Sequence, residues 1–175
     1  LNRVWRIAFQ YRDTVKNTAP FDGRPDDLSE KFRDLNKKVH QTIKRVTRDI
    51  EDRFHFNTAI SAVMELVNTM YGIEPEDQAP EKSGVMKFAL ESVVRLLSPI
   101  VPHFAEELWE VMGHNTSILL EPWPSYEASA LVEDDLLIVV QVNGKLRSRF
   151  NVSADADDDT LREMALSDAR VQKFM

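Results

Sequence analysis

A chain of 175 residues with 43% apolar and 29% charged side chains has the balance of a soluble globular protein, with room for one full domain and part of another. It holds no cysteine, which excludes disulfides and thiolate metal sites, and no apolar run approaches the 18 or so residues of a membrane span. The net charge of −7 argues against an autonomous nucleic-acid binder, yet residues 1–53 hold 13 basic against 9 acidic side chains and the remainder 9 against 20, so a polyanion would be met by the first third.

The chain opens inside a helical pattern, LNRVWRIAFQYRDTV, with neither an initiator Met nor a signal peptide, and so reads as a piece of a longer polypeptide. A first helix is expected over residues 2–17, with Val4, Trp5, Ala8, Tyr11 and Val15 inward and Arg3, Arg6 and Arg12 off that stripe. After a loop broken by Pro20, Gly23 and Pro25, Asp27 and Glu30 have the spacing of a capping box that opens a long second helix to about Phe54. At 100° per residue Phe32, Val39, Ile43, Val46, Ile50 and Phe54 fall within about 80° of one another, a core-facing stripe. On the opposite side Lys37, Lys44 and Arg48 fall within about 40°, flanked by Lys38 and Arg45, with no carboxylate between Asp34 and Asp49. An ordinary solvated face, with Asp34 and Lys38 as an i,i+4 pair, is the competing account of that charge.

At His55 to Asn57 a turn is expected, with Asn57 capping the next helix and Phe54 and Phe56 anchoring its entry to the core. The third helix carries Ile60, Val63, Met64, Val67 and Met70 on one face and stops at Gly72, and the acidic, proline-bearing loop 74–82 reads as mobile. A fourth helix from Ser83 (Met86, Leu90, Val93, Leu97) ends at Pro99, and a fifth starts at Pro102 (Ala105, Leu108, Trp109, Met112) and closes at Gly113. Consecutive amphipathic helices on short loops make a mainly α fold, an antiparallel helical bundle over 1–117. Residues 118–135, with Ile118 to Leu120 and Pro122-Trp123-Pro124, read as an extended strap laid against it.

From 136 the period becomes two. LLIVVQV, Asn143-Gly144 and KLRSRFNV spell a hairpin on a two-residue type I′ turn, the start of a small α+β domain over 136–175 that is truncated here. Strict alternation would send Lys145, Arg147 and Arg149 off one side and set Leu146, Phe150 and Val152 with Leu137 and Val139 on the buried one. Asp157 to Asp159 then open a short helix, and Ser167-Asp168 cap another.

No chemistry-bearing constellation emerges. His40, His55, His103 and His114 lack ligand spacing, the run from His103 to Glu107 lacks the second His of a zinc helix, and no phosphate loop, nucleophile elbow or carboxylate pair occurs. No catalytic or metal-ligating residue is assigned. Trp5 and Trp109 sit at core spacing, and Trp123 between two prolines reads as a packing plug.

Six blocks in order, RVWR (3–6), VHQTIKRVTRDIE (39–51), FNTAISAVMELVN (56–68), SPIVPHFAEELWE (98–110), PWP (122–124) and VVQVNGKLR (139–147), together resemble leucyl-tRNA synthetase of the bacterial or organellar type, a class I enzyme. The likeness covers nearly the whole chain. Isoleucyl and valyl enzymes are similar over the helical part, but the NGKLR hairpin followed by an acidic helix looks leucyl. The resemblance implies an anticodon-binding helical domain and the start of the C-terminal domain of a cytoplasmic, monomeric ligase that joins leucine to tRNA(Leu) with ATP and Mg²⁺. The His-Ile-Gly-His and Lys-Met-Ser-Lys-Ser signatures of that chemistry do not occur here, so the chain itself would need no cofactor. Its implied partners are tRNA and the catalytic domain of the same polypeptide. Because leucine has six codons with dissimilar anticodons, contact is expected with phosphate and ribose rather than with anticodon bases. Arg3, Arg6, Lys37, Lys38, Lys44, Arg45, Arg48, Lys145, Arg147 and Arg149 are the candidate contacts. A helical scaffold whose basic stripe meets an acidic protein is the alternative from another class.

Overall fold

The structure, a computed structural model, describes residues 1–51, 54–131, 135–153 and 156–173. It divides into two compact units, Leu1–Leu131 and Val132–Met175. No helix among the described residues is long and apolar enough to cross a membrane.

Among the described residues five helices build the first unit: α1 (Asn2–Lys16), α2 (Glu30–Glu51), α3 (Phe56–Met70), α4 (Lys82–Leu97) and α5 (Pro102–Val111). Helix α4 touches all four others and is buried around most of its circumference, at Val85, Met86, Ala89, Leu90, Val93, Val94, Leu96 and Leu97. Such a helix is the bundle's centre, which is why its sequence reads apolar beyond a single stripe. Helices α1, α2, α3 and α5 lay one face each on it, and α2 also packs along α3. The expected helical bundle is the fold observed.

The α2 stripe is buried at Phe32, Leu35, Val39, Ile43 and Val46, but it does not reach Phe54. That residue has φ 51° and is 72% exposed, Phe56 is 43% exposed, and neither anchors the turn to the core. The His55 amide donates instead to the Asp49 carbonyl at 2.8 Å. The N-cap position of α3 is His55, without a side-chain cap bond, so Asn57 does not cap that helix.

Other local expectations are replaced by tertiary bonds. Asp27 closes a short 3₁₀ turn (Pro25–Asp27) and pairs with Arg24 at 3.2 Å, while the amides of Phe32 and Arg33 go to the Ser29 carbonyl, so no capping box forms. The Ser29 hydroxyl donates to Glu81 at 2.7 Å. Loop 74–82 is pinned rather than loose: the Lys82 ammonium donates to the carbonyls of Pro75 and Asp77, and Lys31 pairs with Asp77 at 3.0 Å. Gly113, at φ 97°, ends α5 in a conformation that disfavours other residues, as its position in the sequence suggested.

After α5 the chain makes two 3₁₀ turns, Ile118–Leu120 and Ser129–Leu131. Glu106 caps the first, accepting from the Ser117 hydroxyl (3.0 Å) and the Ile118 amide (3.1 Å). Between the turns the strap runs along α2, where the Trp123 indole N–H donates to Thr47 at 2.8 Å and the Glu127 amide donates to His40 Nδ1 at 3.2 Å.

The second unit begins with an antiparallel hairpin, β1 (Asp135–Val142) and β2 (Lys145–Ser153), turning at Asn143 (φ 53°) and Gly144 (φ 75°) as type I′ requires. The register is not the strict alternation expected. Val140 lies opposite Ser148 but Gln141 opposite Leu146, leaving Arg147 as the extra residue of a bulge. Phe150 therefore faces Ile138, not a residue of the odd-numbered set, and Leu146, 45% exposed, falls on the side of Val139 and Gln141. Helix α6 (Asp158–Ser167) is capped by Asp157, accepting from the Thr160 amide at 2.9 Å, and α7 (Ala169–Gln172) by Asp168, accepting from the Arg170 amide at 2.7 Å. Asp168 also accepts from the buried Ser148 hydroxyl of β2, and that bond holds its carboxyl below the usual range.

Candidate nucleic-acid interface

The cationic face of α2 divides into two parts. Lys44 and Arg48 are exposed and Lys37 is half-buried, and Lys37 and Lys44 have no ion pair among the described residues. Arg48 comes within 4.0 Å of the buried Asp49 carboxylate but keeps 59% of its side chain exposed. The flanking pair is already engaged. Glu65 of α3 receives Lys38 at 2.9 Å on one oxygen and Arg45 at 3.3 Å on the other, and the bond from Lys38, then its charge, keeps the Glu65 carboxyl below its ordinary range. Arg45 also approaches Asp49 at 4.0 Å. Twenty-seven residues of sequence separate Lys38 from its partner, and a helix-wheel count cannot see across that gap.

The strap brings two aromatic rings to the same face. Tyr126, 42% exposed, lies 5.7 Å from the Lys44 ammonium, and Trp123 is 37% exposed where it bonds Thr47. Neither was singled out as part of this surface from sequence. The available signal was the seven-residue step from His40 to Thr47 on one side of α2, matched by the PWPSYE segment that bonds to both.

On α1 the Arg3 guanidinium sits 4.9 Å over the Tyr71 ring, whose hydroxyl donates to the Arg3 carbonyl at 2.9 Å; Arg6 is exposed. In the second unit Lys145 and Arg149 are exposed and Arg147 is half-buried. Register puts Arg149 opposite Val139 and Lys145 opposite Val142, and these positions belong to opposite faces of β1. The three hairpin cations therefore do not form one row.

The histidines are occupied structurally or exposed. His114 stacks on Trp109 with ring centroids 3.6 Å apart and lies 3.0 Å from Glu91, while His55 and His103 are exposed. Among the described residues no group of three or more His, Asp or Glu side chains is arranged to hold a metal ion.

Burial holds the His40 imidazole below its ordinary value, against the opposing charge of Glu127. A histidine with a depressed folded pKa gives stability that is complete above its unfolded value and is lost as the pH falls through the folded one. We expect the midpoint of thermal unfolding to fall between about pH 7 and 5, and His40→Gln to flatten that slope. An unaltered slope in H40Q would remove His40 as its source.

Residues 33–162 match the family model described as the anticodon-binding domain of tRNA ligase. Over all 175 residues the chain is 54% identical to a leucine–tRNA ligase of Desulfatibacillum aliphaticivorans and 46% identical to one of Geobacter sp. (strain M21). It spans about a fifth of their length, 20% and 21%. Among solved structures it is similar to the agnB2 LeuRS of Agrobacterium radiobacter K84, crystallised as a ternary complex with tRNA and LeuAMS. That match has 31% identity and a TM-score of 0.84, covering 98% of this chain and 21% of the other.

Proposed function

We propose, starting from the fact that this chain belongs to the anticodon-binding domain family of tRNA ligases, that it is the tRNA-contacting region of a leucine–tRNA ligase. The end-to-end identity to leucine–tRNA ligases and the likeness to an enzyme crystallised with tRNA support the reading. The observation that carries it is the exposed pair Lys44 and Arg48 on the outer face of α2, flanked by Trp123 and Tyr126, with the fully buried Val39, Ile43 and Val46 behind them. A rigid, exposed cationic face can neutralise phosphates without unfolding anything to reach them.

On this reading Lys37, Lys44 and Arg48 form the principal contact, and Arg3 and Arg6 extend it on α1. Lys38 and Arg45 contribute only where a phosphate displaces Glu65. Lys145, Arg147 and Arg149 serve the domain that begins with the hairpin, so that 1–117 is the bundle, 118–135 the strap and 136–175 the next domain. The parent would be a cytoplasmic monomer whose catalytic domain, joined to this chain, uses ATP and Mg²⁺ to attach leucine to tRNA(Leu). The chain contributes backbone and shape recognition to that reaction and no catalytic group.

The test is a binding titration of a tRNA with a long variable arm against a scrambled RNA duplex of equal length. We expect folded tRNA to be preferred, with a dissociation constant on the order of micromolar or poorer, since the net charge opposes binding. Converting Lys37, Lys44 and Arg48 together to Glu should weaken tRNA binding by about tenfold or more at unchanged helicity. Equal affinity of the triple variant would remove the α2 face from the account, and equal affinity for duplex and tRNA would favour a general polyanion scaffold.

A further inference from the structure

The strap is tied to the bundle at few points along residues 122–131. Ser125 to Ser129 are exposed, between a buried Pro124 and a buried Ala130. Among the described residues this stretch makes two side-chain hydrogen bonds to the helices, and both end on α2: the Trp123 indole on Thr47 and the Glu127 amide on His40. Seven residues separate the two posts, which places them two turns apart on one side of the helix. Tyr126 lies between the tied residues, and its ring meets the Lys44 ammonium at 5.7 Å.

His40 is only 7% exposed and stands against Phe88 with ring centroids 5.2 Å apart, so it cannot itself serve as a surface contact. Its part is played by one atom. Because Nδ1 accepts the Glu127 amide, the neutral ring carries its single proton on Nε2. A second proton can enter only at Nδ1, where it turns the acceptor into a donor facing another donor. The bond that ties Glu127 is then lost. Burial favours the neutral ring and the charge of Glu127 opposes it. The other charged groups around the ring are Asp22 of the loop before α2 and the paired Glu91 and Arg95 of α4, which border the same cleft, and Lys37 and Lys44, one turn to either side on α2.

We propose that His40 is a positioning residue: through Nδ1 it holds the strap so that the Tyr126 ring confines Lys44 on the cationic face, and protonation of the imidazole lets the strap go. A lysine ammonium rides on a flexible four-carbon stem, and a ring that confines it removes freedom that a phosphate would otherwise have to remove. The affinity of that face for RNA therefore falls on acidification. This sign is opposite to the general one, since adding positive charge to a chain of net charge −7 strengthens its attraction to a polyanion. The consequence for RNA rests on the function proposed above; the hold on the strap does not.

The test lowers the pH of the 175-residue chain from about 8 through the midpoint of the His40 ring titration, read by NMR, at constant ionic strength. Nuclear Overhauser contacts between the Tyr126 ring and the Lys44 stem should vanish with that same midpoint. His40→Asn, whose side-chain oxygen stands where Nδ1 does and does not titrate, should keep them throughout, and His40→Leu, with no acceptor, should lack them already at the start. Affinity for tRNA, expressed as wild type relative to H40N, should begin near parity and fall about threefold or more below the midpoint, while H40L stays about threefold weaker than H40N at every pH. A Tyr126–Lys44 contact that survives protonation of His40, a contact intact in H40L, or an affinity ratio that is constant across the midpoint would overturn the proposal. Should H40L lose helicity by circular dichroism, the comparison of wild type with H40N decides alone. Failure of all three proteins to bind tRNA would count against the earlier reading, and the Tyr126 contacts would still decide the hold on the strap.

Discussion

Glu91→Ala is expected to lower the stability of the helical unit by about 3–5 kcal/mol, the largest loss for any single polar substitution in it. The carboxylate is 4% exposed and is approached by Arg95 at 3.3 Å, His114 at 3.0 Å and Lys87 at 3.7 Å. Lys87 is itself buried and donates to the Val15 carbonyl of α1 at 2.9 Å, while Arg95 lies 5.2 Å from the centre of the Trp109 ring. Removing the carboxylate leaves two cations at low exposure with one anchor gone, and a charge in such a place is worth far more unpaired as a cost than paired as a gain. Burial holds His114 below its ordinary value despite Glu91, and an imidazole, neutral or cationic, could not replace the lost negative charge. The measurement is urea unfolding followed by circular dichroism. Glu91→Gln, which keeps one acceptor oxygen but turns the other into an NH2 donor and loses the charge, should fall between wild type and alanine, and a loss under about 1 kcal/mol for alanine would show that water reaches the cluster.

Phe32→Ala should cost about 3–5 kcal/mol, whereas Phe54→Ala should change stability by no more than about 0.5 kcal/mol. Both residues fall on one apolar stripe in a helical count. In the folded chain Phe32 is 1% exposed and Phe54 is 72% exposed beyond the last residue of α2. The first substitution opens a cavity where α2 begins, and the second removes a ring already in water. Scored at a temperature where the folded form still dominates, Phe32→Ala should leave tRNA affinity unchanged, because the affected side of α2 is opposite Lys44 and Arg48. Equal stability losses for the two would mean that the turn at Phe54 packs as the stripe suggested.

That pair shows where the fold was legible and where it was not. The helices announced themselves through 3.6-residue periodicity, and Asn143-Gly144 through a backbone conformation that few residues tolerate. Phe54 misled because helical phase continues past the point where the helix stops, and the stop is made by a backbone bond to Asp49 rather than by a sequence punctuator. The bulge at Arg147 was invisible for a related reason: alternation along β2 is regular, and the slip exists only in its pairing with β1. Of the candidate interface, the cations of α2 could be read from sequence. Their counter-charge could not, since it comes from another helix, nor could the rings of Trp123 and Tyr126, which a chain segment distant in sequence lays beside them.

Glu65 changes what contact with this surface would mean. At Lys44 an approaching phosphate exchanges water for protein, but at Lys38 and Arg45 it must evict a carboxylate that holds both cations at 2.9 and 3.3 Å. Only a ligand whose shape presses phosphates into that spot can win the trade. A diffuse anion has no such leverage. An acidic residue inside a basic surface thereby acts as a resident competitor, raising the threshold for casual polyanions while leaving a well-fitted one free to take its place.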